Sequence, residues 1–536
     1  MEKCLIIFII FTVIGYCMSV EFKVPEHEET SFWLKSGQDN LKRVLQMENN
    51  KNRAKNIIVF IGDGMGLSTI TSGRIFKGQM RGNSGEEFKL SFEQFPSTGF
   101  SKTYNVDRQV PDSAGTATAM FSGVKAQYKM LGLDGKAKWN TCDKTVNENS
   151  RLTTIASWAQ NSGMDTGFVT TTRVTHATPG ALYAHTNNRD WECDTSIPRV
   201  YRDCIKDIAR QLVEDAPGNK FKVIMGGGAG MLGFNSPYPD KEACQRNDGR
   251  RLAHSWLLAN PGSKLVTNTV DLFNVDLNNT TKLMGIFADD HLPYAAVKPP
   301  SVPSLANMTV QAIKMLKNNK HGFFLMVEGG KIDLAHHKNY AQLAVREVAE
   351  LDDAVIAAMQ MVNLDETLIV VTADHSHAFT MNGYPQRGND ILGLTESSGN
   401  KQKYETLSYA NGPGYFYHRL NDSDKIWRDL ENDTNRDDPF YVHFSPRYLK
   451  DETHGGEDVG VYAIGPYSHL FRSTFEQNYI AHVLAYAACF KDWPSHCDQT
   501  YNRYFYHISR TNDAATRHLT LPTFIIFVLT VFINSL

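Results

Sequence analysis

The sequence has almost no net charge, and this limits the partners it can have. Its 536 residues include 55 Lys and Arg against 58 Asp and Glu, so the formal net charge is −3. No block of basic residues stands out, whereas a nucleic-acid-binding protein needs a basic patch or stripe. The composition also lacks the repeats and biases of collagen, coiled coils and disordered chains. We therefore expect a globular protein with no nucleic-acid partner.

The first residues predict a secretory signal peptide over residues 1–19. A lysine at position 3 precedes an apolar run from Leu5 to Ile14, and small residues alternate from Cys17 to Ser19. The alternative is an uncleaved membrane anchor, but the apolar run is short for a bilayer span.

The last residues predict a glycosylphosphatidylinositol (GPI) attachment signal. Small residues around Asp513 are followed by a polar stretch through His518 and by apolar residues from Leu519 to Leu536. We expect Asp513, or else Asn512, to carry the lipid anchor, with residues 514–536 removed. A tail-anchored helix is the alternative.

Cysteine is scarce, and no cysteine spacing resembles a zinc–thiolate site. Beyond the signal peptide the cysteines are Cys142, Cys193, Cys204, Cys244, Cys489 and Cys497, which sequence alone does not pair.

Export through the secretory pathway also predicts glycans on some of the N-glycosylation sequons, which begin at Asn278, Asn279, Asn307, Asn421 and Asn432.

Short apolar runs alternate with helical patterns along the chain. Runs typical of buried strands cover 56–61, 167–172, 323–327, 368–372 and 459–464. Apolar residues at helical spacing predict helices over 152–161 and 340–362. Strands that alternate with helices predict an α/β fold with a large, mostly parallel central sheet flanked by helices.

Residues of the types that can bind metals lie next to each of these predicted strands. In strand order they are Asp63; His176 and Thr178; Glu328, Asp333 and His337; Asp374, His375 and His377; and His454. One carboxylate after a strand is usually a helix cap or turn residue, but parallel sheets bind ligands beyond the carboxyl ends of their strands. Imidazole and oxygen ligands without thiolates predict zinc or a comparable metal, and the additional carboxylates and hydroxyls suit magnesium.

A candidate nucleophile is Ser113, which follows Asp112 and begins a run of small residues through Met120. This run predicts a tightly packed helix with the serine hydroxyl at its N-terminus, where an anion is stabilised. Taken alone, Ser113 is better explained as a helix cap, but a serine beside a metal ion can ionise and attack. Arg189 offers a planar fork that matches a phosphate, although alone it is equally a surface charge.

Six motifs together resemble the alkaline phosphatases, in particular the animal GPI-anchored type. They are the segments 62–66, 112–118, 171–179, 327–330, 372–377 and 452–459, in this order, and the resemblance extends from about Phe32 to Cys497. It implies metal-dependent hydrolysis of phosphate monoesters at the outer face of the cell membrane, through a phosphoserine on Ser113. It also implies a rate that rises into the alkaline range.

The resemblance further implies two zinc ions and one magnesium ion per subunit. The first zinc would be held by Asp333, His337 and His454, the second by Asp63, Asp374 and His375 beside Ser113, and the magnesium by Asp63, Thr178 and Glu328. Arg189, next to Asp112, would bind the phosphate. His377 would orient a zinc ligand, and His176 would lie near the magnesium.

The shape implied by the resemblance is a homodimer. Residues 20–513 would form the catalytic domain, with an N-terminal helix at about 32–45 that embraces the partner and a crown insertion at about 380–450. Disulfides are implied for Cys142 with Cys204 and for Cys489 with Cys497. Cys193 and Cys244 have no counterparts in the family pattern, so they pair with each other or stay free.

The sequence departs from the family pattern at two places. Leu334 replaces the His of vertebrate relatives and the Lys of bacterial ones, which should weaken phosphate binding. A fourth, calcium-type site of vertebrate relatives is expected to be missing, since the matching positions are Pro237, Ala288 and Val302. Two alternatives remain: a phosphodiesterase or sulfatase of the same superfamily, and a cell-surface binding protein on this fold with reduced catalysis.

Overall fold

The computed structural model of the protein describes residues 28–396, 402–421, 426–431 and 433–490. The predicted signal peptide, the anchor residue Asp513 with the tail 514–536, Cys497 and the sequon at Asn432 lie outside the described residues.

Strands and helices alternate along most of the described chain. The strands are β1 Asn56–Gly62, β2 Ser97–Lys102, β3 Asp165–Arg173, β4 Val223–Gly227, β5 Lys264–Val266, β6 Leu283–Ile286, β7 Phe323–Gly329, β8 Thr367–Ala373, β9 Ser376–His377, β10 Phe379–Met381, β11 Leu394–Glu396, β12 Lys403–Glu405, β13 Leu407–Tyr409, β14 His454–Gly455, β15 Val459–Ile464 and β16 Ser473–Glu476. The α-helices are α1 Thr30–Leu45, α2 Leu67–Gln79, α3 Ser113–Ser122, α4 Lys144–Ser150, α5 Ile155–Asn161, α6 Ala177–Gly180, α7 Ile208–Glu214, α8 Leu252–Ala259, α9 Thr269–Asn274, α10 Leu305–Leu316, α11 Lys331–His337, α12 Ala341–Met361, α13 Gly414–His418 and α14 Tyr479–Ala488.

One large sheet organises the fold, with strand order β16-β2-β15-β8-β1-β7-β3-β4-β6-β5. The seven strands from β8 to β5 in this order pair in parallel. In contrast, β15 runs antiparallel to both of its neighbours, β8 and β2. The predicted α/β fold with a mostly parallel sheet is confirmed.

The central strands are apolar along their whole length because both faces of the sheet are covered. In β1, Ile57, Val59 and Ile61 pack into the core on one face, while Ile58 and Phe60 pack into the core on the other. The helices α3, α5 and α14 contribute to the first core, and α10 and α12 contribute to the second. This alternation is the two-residue period of a strand.

The two predicted helices form with small shifts at their ends. The second predicted helix is α12, which is one residue shorter at each end than the periodicity indicated. The first is α5, which begins only at Ile155 because Thr154 has extended backbone and precedes the first helical turn.

The segment between His377 and His454 forms a small appended structure of paired short strands. Strand β10 pairs with β13, and β11 pairs with β12, both antiparallel. Phe379 and Tyr409 of this segment pack against Ile75 of α2 and Val345 of α12.

The structure contains two disulfides that lie wholly within the described residues, Cys142–Cys204 and Cys193–Cys244. The first is the pair that the resemblance implied, and the second resolves the two alternatives left open for Cys193 and Cys244. Cys489 is disulfide-bonded at the end of the described chain. Among the predicted glycosylation sites, Asn279 and Asn421 are exposed and Asn307 is half-buried in the first turn of α10.

Candidate active site

The predicted site residues meet at one edge of the large sheet. Asp63 follows β1, Glu328 lies near the end of β7, and Asp374 follows β8, so the carboxyl ends of three adjacent parallel strands bring them together. His454 lies in the short strand β14 and precedes the sheet strand β15 instead of following a strand of the sheet. It reaches the same edge because β15 is antiparallel to β8, so that β15 begins where β8 ends.

The turn after β1 needs glycine at position 64. Gly64 has a φ of 70°, and a Cβ atom there would collide with the ring of His377. Its backbone N–H donates to Asp374 Oδ1 at 3.0 Å. The motif therefore ties the end of β1 to the end of β8, directly beside the side chain of Asp63.

The first group of possible metal ligands consists of Asp63, Asp374 and His375, which surround the Ser113 hydroxyl. Ser113 Oγ lies 3.2 Å from His375 Nε2 and 3.4 Å from Asp63 Oδ1. His375 Nδ1 lies 3.1 Å from the carbonyl oxygen of Ser376, to which it can only donate. His375 Nε2 is then unprotonated in the neutral ring, and its lone pair faces the two carboxylates, as a metal ligand requires.

The Ser113 hydroxyl stands at the N-terminus of α3, as predicted, but the capping residue is Asp112. The Asp112 carboxylate accepts from the backbone N–H groups of Ala114 and Gly115, and it also accepts from Arg189 Nη1 at 3.1 Å. Arg189 Nη2 lies 3.0 Å from His176 Nε2. One carboxylate thus fixes both the helix that carries the nucleophile candidate and the guanidinium beside it.

The second group consists of Asp333, His337 and His454, with His377 close by. Asp333 and His337 are one turn apart on α11, with 3.4 Å between Asp333 Oδ2 and His337 Nε2, and His454 Nε2 lies 3.3 Å from Asp333 Oδ1. Both histidines have Nδ1 within hydrogen-bond distance of a carbonyl oxygen, that of Glu452 for His337 and that of Pro111 for His454.

These contacts leave two lone pairs facing each other. His337 Nε2 and His454 Nε2 are 3.2 Å apart, and each is unprotonated if its Nδ1 donates to the carbonyl. Two lone pairs at this distance repel each other unless a proton or a cation lies between them. Burial lowers the pKa of His337 to about 4, so a metal ion fits this position better than a proton.

His377 differs from its neighbours, because both of its ring nitrogens face carboxylates. Nε2 lies 2.7 Å from Asp333 Oδ1, and Nδ1 lies 2.5 Å from Glu452 Oε2. Burial alone would lower the pKa of His377, but Glu452 and Asp333 together raise it to about 10. A raised pKa favours the doubly protonated ring, which hydrogen-bonds to Asp333 and Glu452 and has no lone pair to offer a metal ion.

The third group contains oxygen atoms that have no hydrogen-bond partner although they are buried. These atoms are Asp63 Oδ2, Thr178 Oγ1 and Glu328 Oε1. The other oxygen of Glu328 is satisfied by the hydroxyls of Thr170 and Thr172. Unpaired buried oxygens are costly, and these three, from the turn after β1, from α6 and from β7, are the ligand type that magnesium prefers. His176 also lies in this group.

The electrostatics of the site fit the binding of divalent cations. Burial, reinforced by Asp374 and Asp333, raises the pKa of Asp63 well above its usual value, and burial raises the pKa of Glu328 to about 7. Burial and the adjacent His454 hold the pKa of His375 well below its usual value. Carboxylates that repel each other beside neutral imidazoles fit divalent metal ions.

Several residues that support the site were not predicted from the sequence. The Glu452 carboxylate accepts a hydrogen bond from His377 Nδ1, and Gln477 Nε2 donates to the carbonyl oxygen of Asp374 at 2.7 Å. Thr170 and Thr172 hold Glu328 in place. Glu452, Thr170 and Thr172 adjoin or belong to the recognised motifs, and that proximity was the available signal. Gln477 carries no sequence signal.

The positions discussed for a fourth metal ion have no ligand side chains. Ala288 and Val302 are buried in the core, and Pro237 offers no oxygen from its side chain. The carboxylate of the neighbouring Asp289 accepts from the backbone N–H groups of Ser236 and Asp240. Asp290 forms an ion pair with Arg173 at 2.7 Å.

Comparison with known proteins gives one consistent result. Residues 54–490 match the alkaline phosphatase family. Alkaline phosphatase 4 of Drosophila melanogaster is 46% identical over 510 residues, covering 89% of this chain and 85% of the relative. The tissue-nonspecific alkaline phosphatase isozyme of Homo sapiens is 40% identical, covering 90% of this chain and 93% of the relative.

Solved structures show the same fold at lower identity. The alkaline phosphatase of the Antarctic bacterium TAB5 aligns with a TM-score of 0.56 at 22% identity, covering 82% of this chain and 99% of its own. That of Thermus thermophilus aligns with a TM-score of 0.58 at 20% identity, covering 84% and 94%. From the family match, the extent of the animal relatives and the shared fold, it follows that the chain belongs to the alkaline phosphatase family.

Proposed function

We propose that this alkaline phosphatase hydrolyses phosphate monoesters through a phosphoserine on Ser113. The observation that carries the proposal is the position of the Ser113 hydroxyl. It is buried at the N-terminus of a helix, 3.2 Å from Nε2 of His375, and Asp112 contacts both this helix and Arg189. A nucleophile, a ligand group and an anion clamp thus surround one point.

We assign two zinc ions and one magnesium ion to the three ligand groups. Asp333, His337 and His454 would hold the first zinc, and Asp63, Asp374 and His375 the second. Asp63, Thr178 and Glu328 would hold the magnesium. When bound, these ions supply positive charge that favours the ionised serine, stabilises phosphate oxygens and lowers the pKa of water. The unpaired oxygens and the facing imidazole lone pairs support this assignment.

The protein's own residues then divide the reaction into two displacements. Ser113 Oγ loses its proton to solvent and attacks phosphorus, and the bond from phosphorus to the substrate oxygen breaks. The leaving oxygen takes up a proton from solvent and departs as the alcohol. Arg189 binds two phosphate oxygens through its parallel N–H groups, and Asp112 keeps the guanidinium in this orientation. Water then attacks the phosphoserine from the opposite side, which restores the Ser113 hydroxyl and releases inorganic phosphate.

The proposed reaction class predicts a clear substrate order. Phenyl phosphate, a phosphate diester and a phenyl sulfate ester are to be compared side by side with the same preparation. We expect the monoester to be hydrolysed fastest, because the phosphate is held by groups that need its free oxygens. A faster diester or sulfate ester reaction would replace the proposal by the phosphodiesterase or sulfatase alternative.

We further propose that the enzyme is a glycosylated, GPI-anchored protein of the outer cell surface. The sequence patterns at both ends support this, as do the exposed Asn279 and Asn421. Within the described residues, no helix combines the length and apolarity needed to cross a bilayer. Treatment of expressing cells with a phosphatidylinositol-specific phospholipase is expected to release the enzyme into the medium. Retention on the cells would favour a spanning tail.

We also propose a homodimer in which α1 contacts the partner. Every residue of α1 is exposed, including Trp33, Leu34 and Leu41, and such a helix is unstable unless an apolar surface covers it. Light scattering is expected to give twice the mass of one chain. The doubly substituted Trp33→Glu, Leu34→Glu protein should shift toward the monomer, and an unchanged mass would remove α1 from the interface.

A further inference from the structure

Lys129 has an unusual backbone conformation beside the active site. Its φ is 62°, in the left-handed region that glycine occupies at little cost and that side chains with a Cβ rarely adopt. A residue held there by its surroundings deserves a functional explanation when it adjoins a catalytic group. Lys129 adjoins two such groups.

The backbone of Lys129 connects Asp112 to Arg189. Its N–H donates to Asp112 Oδ1 at 2.8 Å, and its carbonyl oxygen accepts from the Arg189 N–H at 2.9 Å. Two residues further on, the backbones of Leu131 and Thr186 exchange a pair of hydrogen bonds. The left-handed conformation of Lys129 therefore lets the backbone of one residue hydrogen-bond both to Asp112 and to Arg189, the residue proposed to bind phosphate.

Glycine would make the same two backbone contacts without strain, so the contacts alone do not explain a lysine. The lysine side chain is only partly buried, with 32% of its surface exposed. Its ammonium lies 3.8 Å from the Asp190 carboxylate and 5.8 Å from the centre of the Tyr128 ring. The guanidinium of Arg108 lies 5.7 Å from the centre of the same Tyr128 ring. We call Arg108, Tyr128, Lys129 and Asp190 the rim.

We propose that the rim selects the leaving group, and that Lys129 favours phosphate monoesters whose alcohol part carries a further negative charge. Such substrates include esters with a carboxylate or with a second phosphate group. The inference rests on the proposed function, because it needs the phosphate to be bound by Arg189 next to Ser113. The backbone of Lys129 contacts both Asp112 and Arg189, and its ammonium lies beside Asp190, the residue after Arg189. The inference therefore places the alcohol part of the ester against the exposed side chains of the rim.

Carboxylates lie beside the cations of the rim, and they determine whether a substitution should raise or lower the preference for anionic substrates. Asp190 is 63% exposed and competes for Lys129, while Asp107 lies 3.3 Å from Arg108. Asp112 is already neutralised by Arg189. An exposed ion pair at 3.8 Å is weak, so an anionic substrate can take the place of Asp190 at the lysine. Removing Lys129 and removing Asp190 should therefore have opposite effects.

The test measures kcat/KM for phenyl phosphate and for 4-carboxyphenyl phosphate, which differ by one carboxylate. The readout is the ratio of the two values, the second divided by the first. We expect Lys129→Gln to lower this ratio about threefold to fivefold, which is the size of one exposed charge interaction. Asp190→Asn should raise it, and Lys129→Arg should keep it near the wild-type value. High salt should reduce the wild-type ratio by screening.

Two controls separate charge from structure. Lys136→Gln removes an exposed lysine of the same loop, with 76% of its side chain accessible, and should leave the ratio unchanged. Lys129→Gly relieves the backbone strain, so it should unfold at a temperature at or above that of the wild type and still lower the ratio. A ratio that stays the same in Lys129→Gln and Lys129→Gly would overturn the inference. Wild-type protein inactive on both esters would instead overturn the proposed function.

Discussion

Replacement of Ser113 by alanine is expected to lower kcat for phenyl phosphate by at least about a thousandfold. The alanine variant keeps the helix cap, because the cap is the Asp112 side chain. It also keeps the ligand groups on the neighbouring strands. What it loses is the oxygen that forms the bond to phosphorus. The remaining rate would come from direct attack by water at a site that still binds phosphate.

The measurement should include the intermediate as well as the rate. Acid quenching with radioactive phosphate is expected to label the wild-type protein on Ser113 and to leave Ser113→Ala unlabelled. Ser122→Ala is a matched control, since Ser122 is a buried serine of the same helix whose hydroxyl contacts only backbone groups, donating to the carbonyl oxygen of Thr118 and accepting from the Val124 N–H. That control should keep the wild-type rate. If Ser113→Ala retains the rate or the label, the assigned nucleophile is wrong.

Removal of divalent metal ions is expected to abolish activity and to destabilise the fold. A strong chelator leaves three buried carboxylates, those of Asp63, Glu328 and Asp374, whose pKa values burial and neighbouring carboxylates raise, next to the imidazoles of His337 and His375, which burial keeps neutral. Ions present at a thousandfold excess over Kd stabilise the native state by about 4 kcal/mol, so the unfolding temperature should fall when they are removed. Elemental analysis of the active protein should give two zinc ions and one magnesium ion per chain.

Reconstitution distinguishes loss of metal from irreversible unfolding. Zinc with magnesium should restore both the activity and the unfolding temperature, whereas magnesium alone should restore neither. Glu328→Gln serves as the matched variant: we expect it to lose magnesium while the zinc held by His337 and His454 remains. Full activity in metal-free protein would contradict the proposal. So would a Glu328→Gln variant that loses zinc and keeps magnesium.

Much of the fold could be predicted from the sequence because the parallel strands are buried on both faces. Such strands are continuous apolar runs, as β1 shows, and the polar residue that follows each run must lie at an edge of the sheet. Asp63, Glu328 and Asp374 could therefore be named together before any coordinates. The position of His454 was harder, since it depends on β15 being antiparallel, and an apolar run has no direction.

The central strands of the sheet, the nucleophile candidate and the set of residues able to bind metals could be predicted from the order of side chains, because burial and residue type follow directly from it. The tertiary structure decided which histidine does what. His375 and His377 are two residues apart, yet a backbone carbonyl leaves His375 one free lone pair, whereas two carboxylates favour the protonated form of the His377 ring by raising its pKa. The hydrogen bonds from the Lys129 backbone to Asp112 and Arg189 are likewise visible only in the tertiary structure. Such roles depend on contacts between residues far apart in the chain, which no local pattern records.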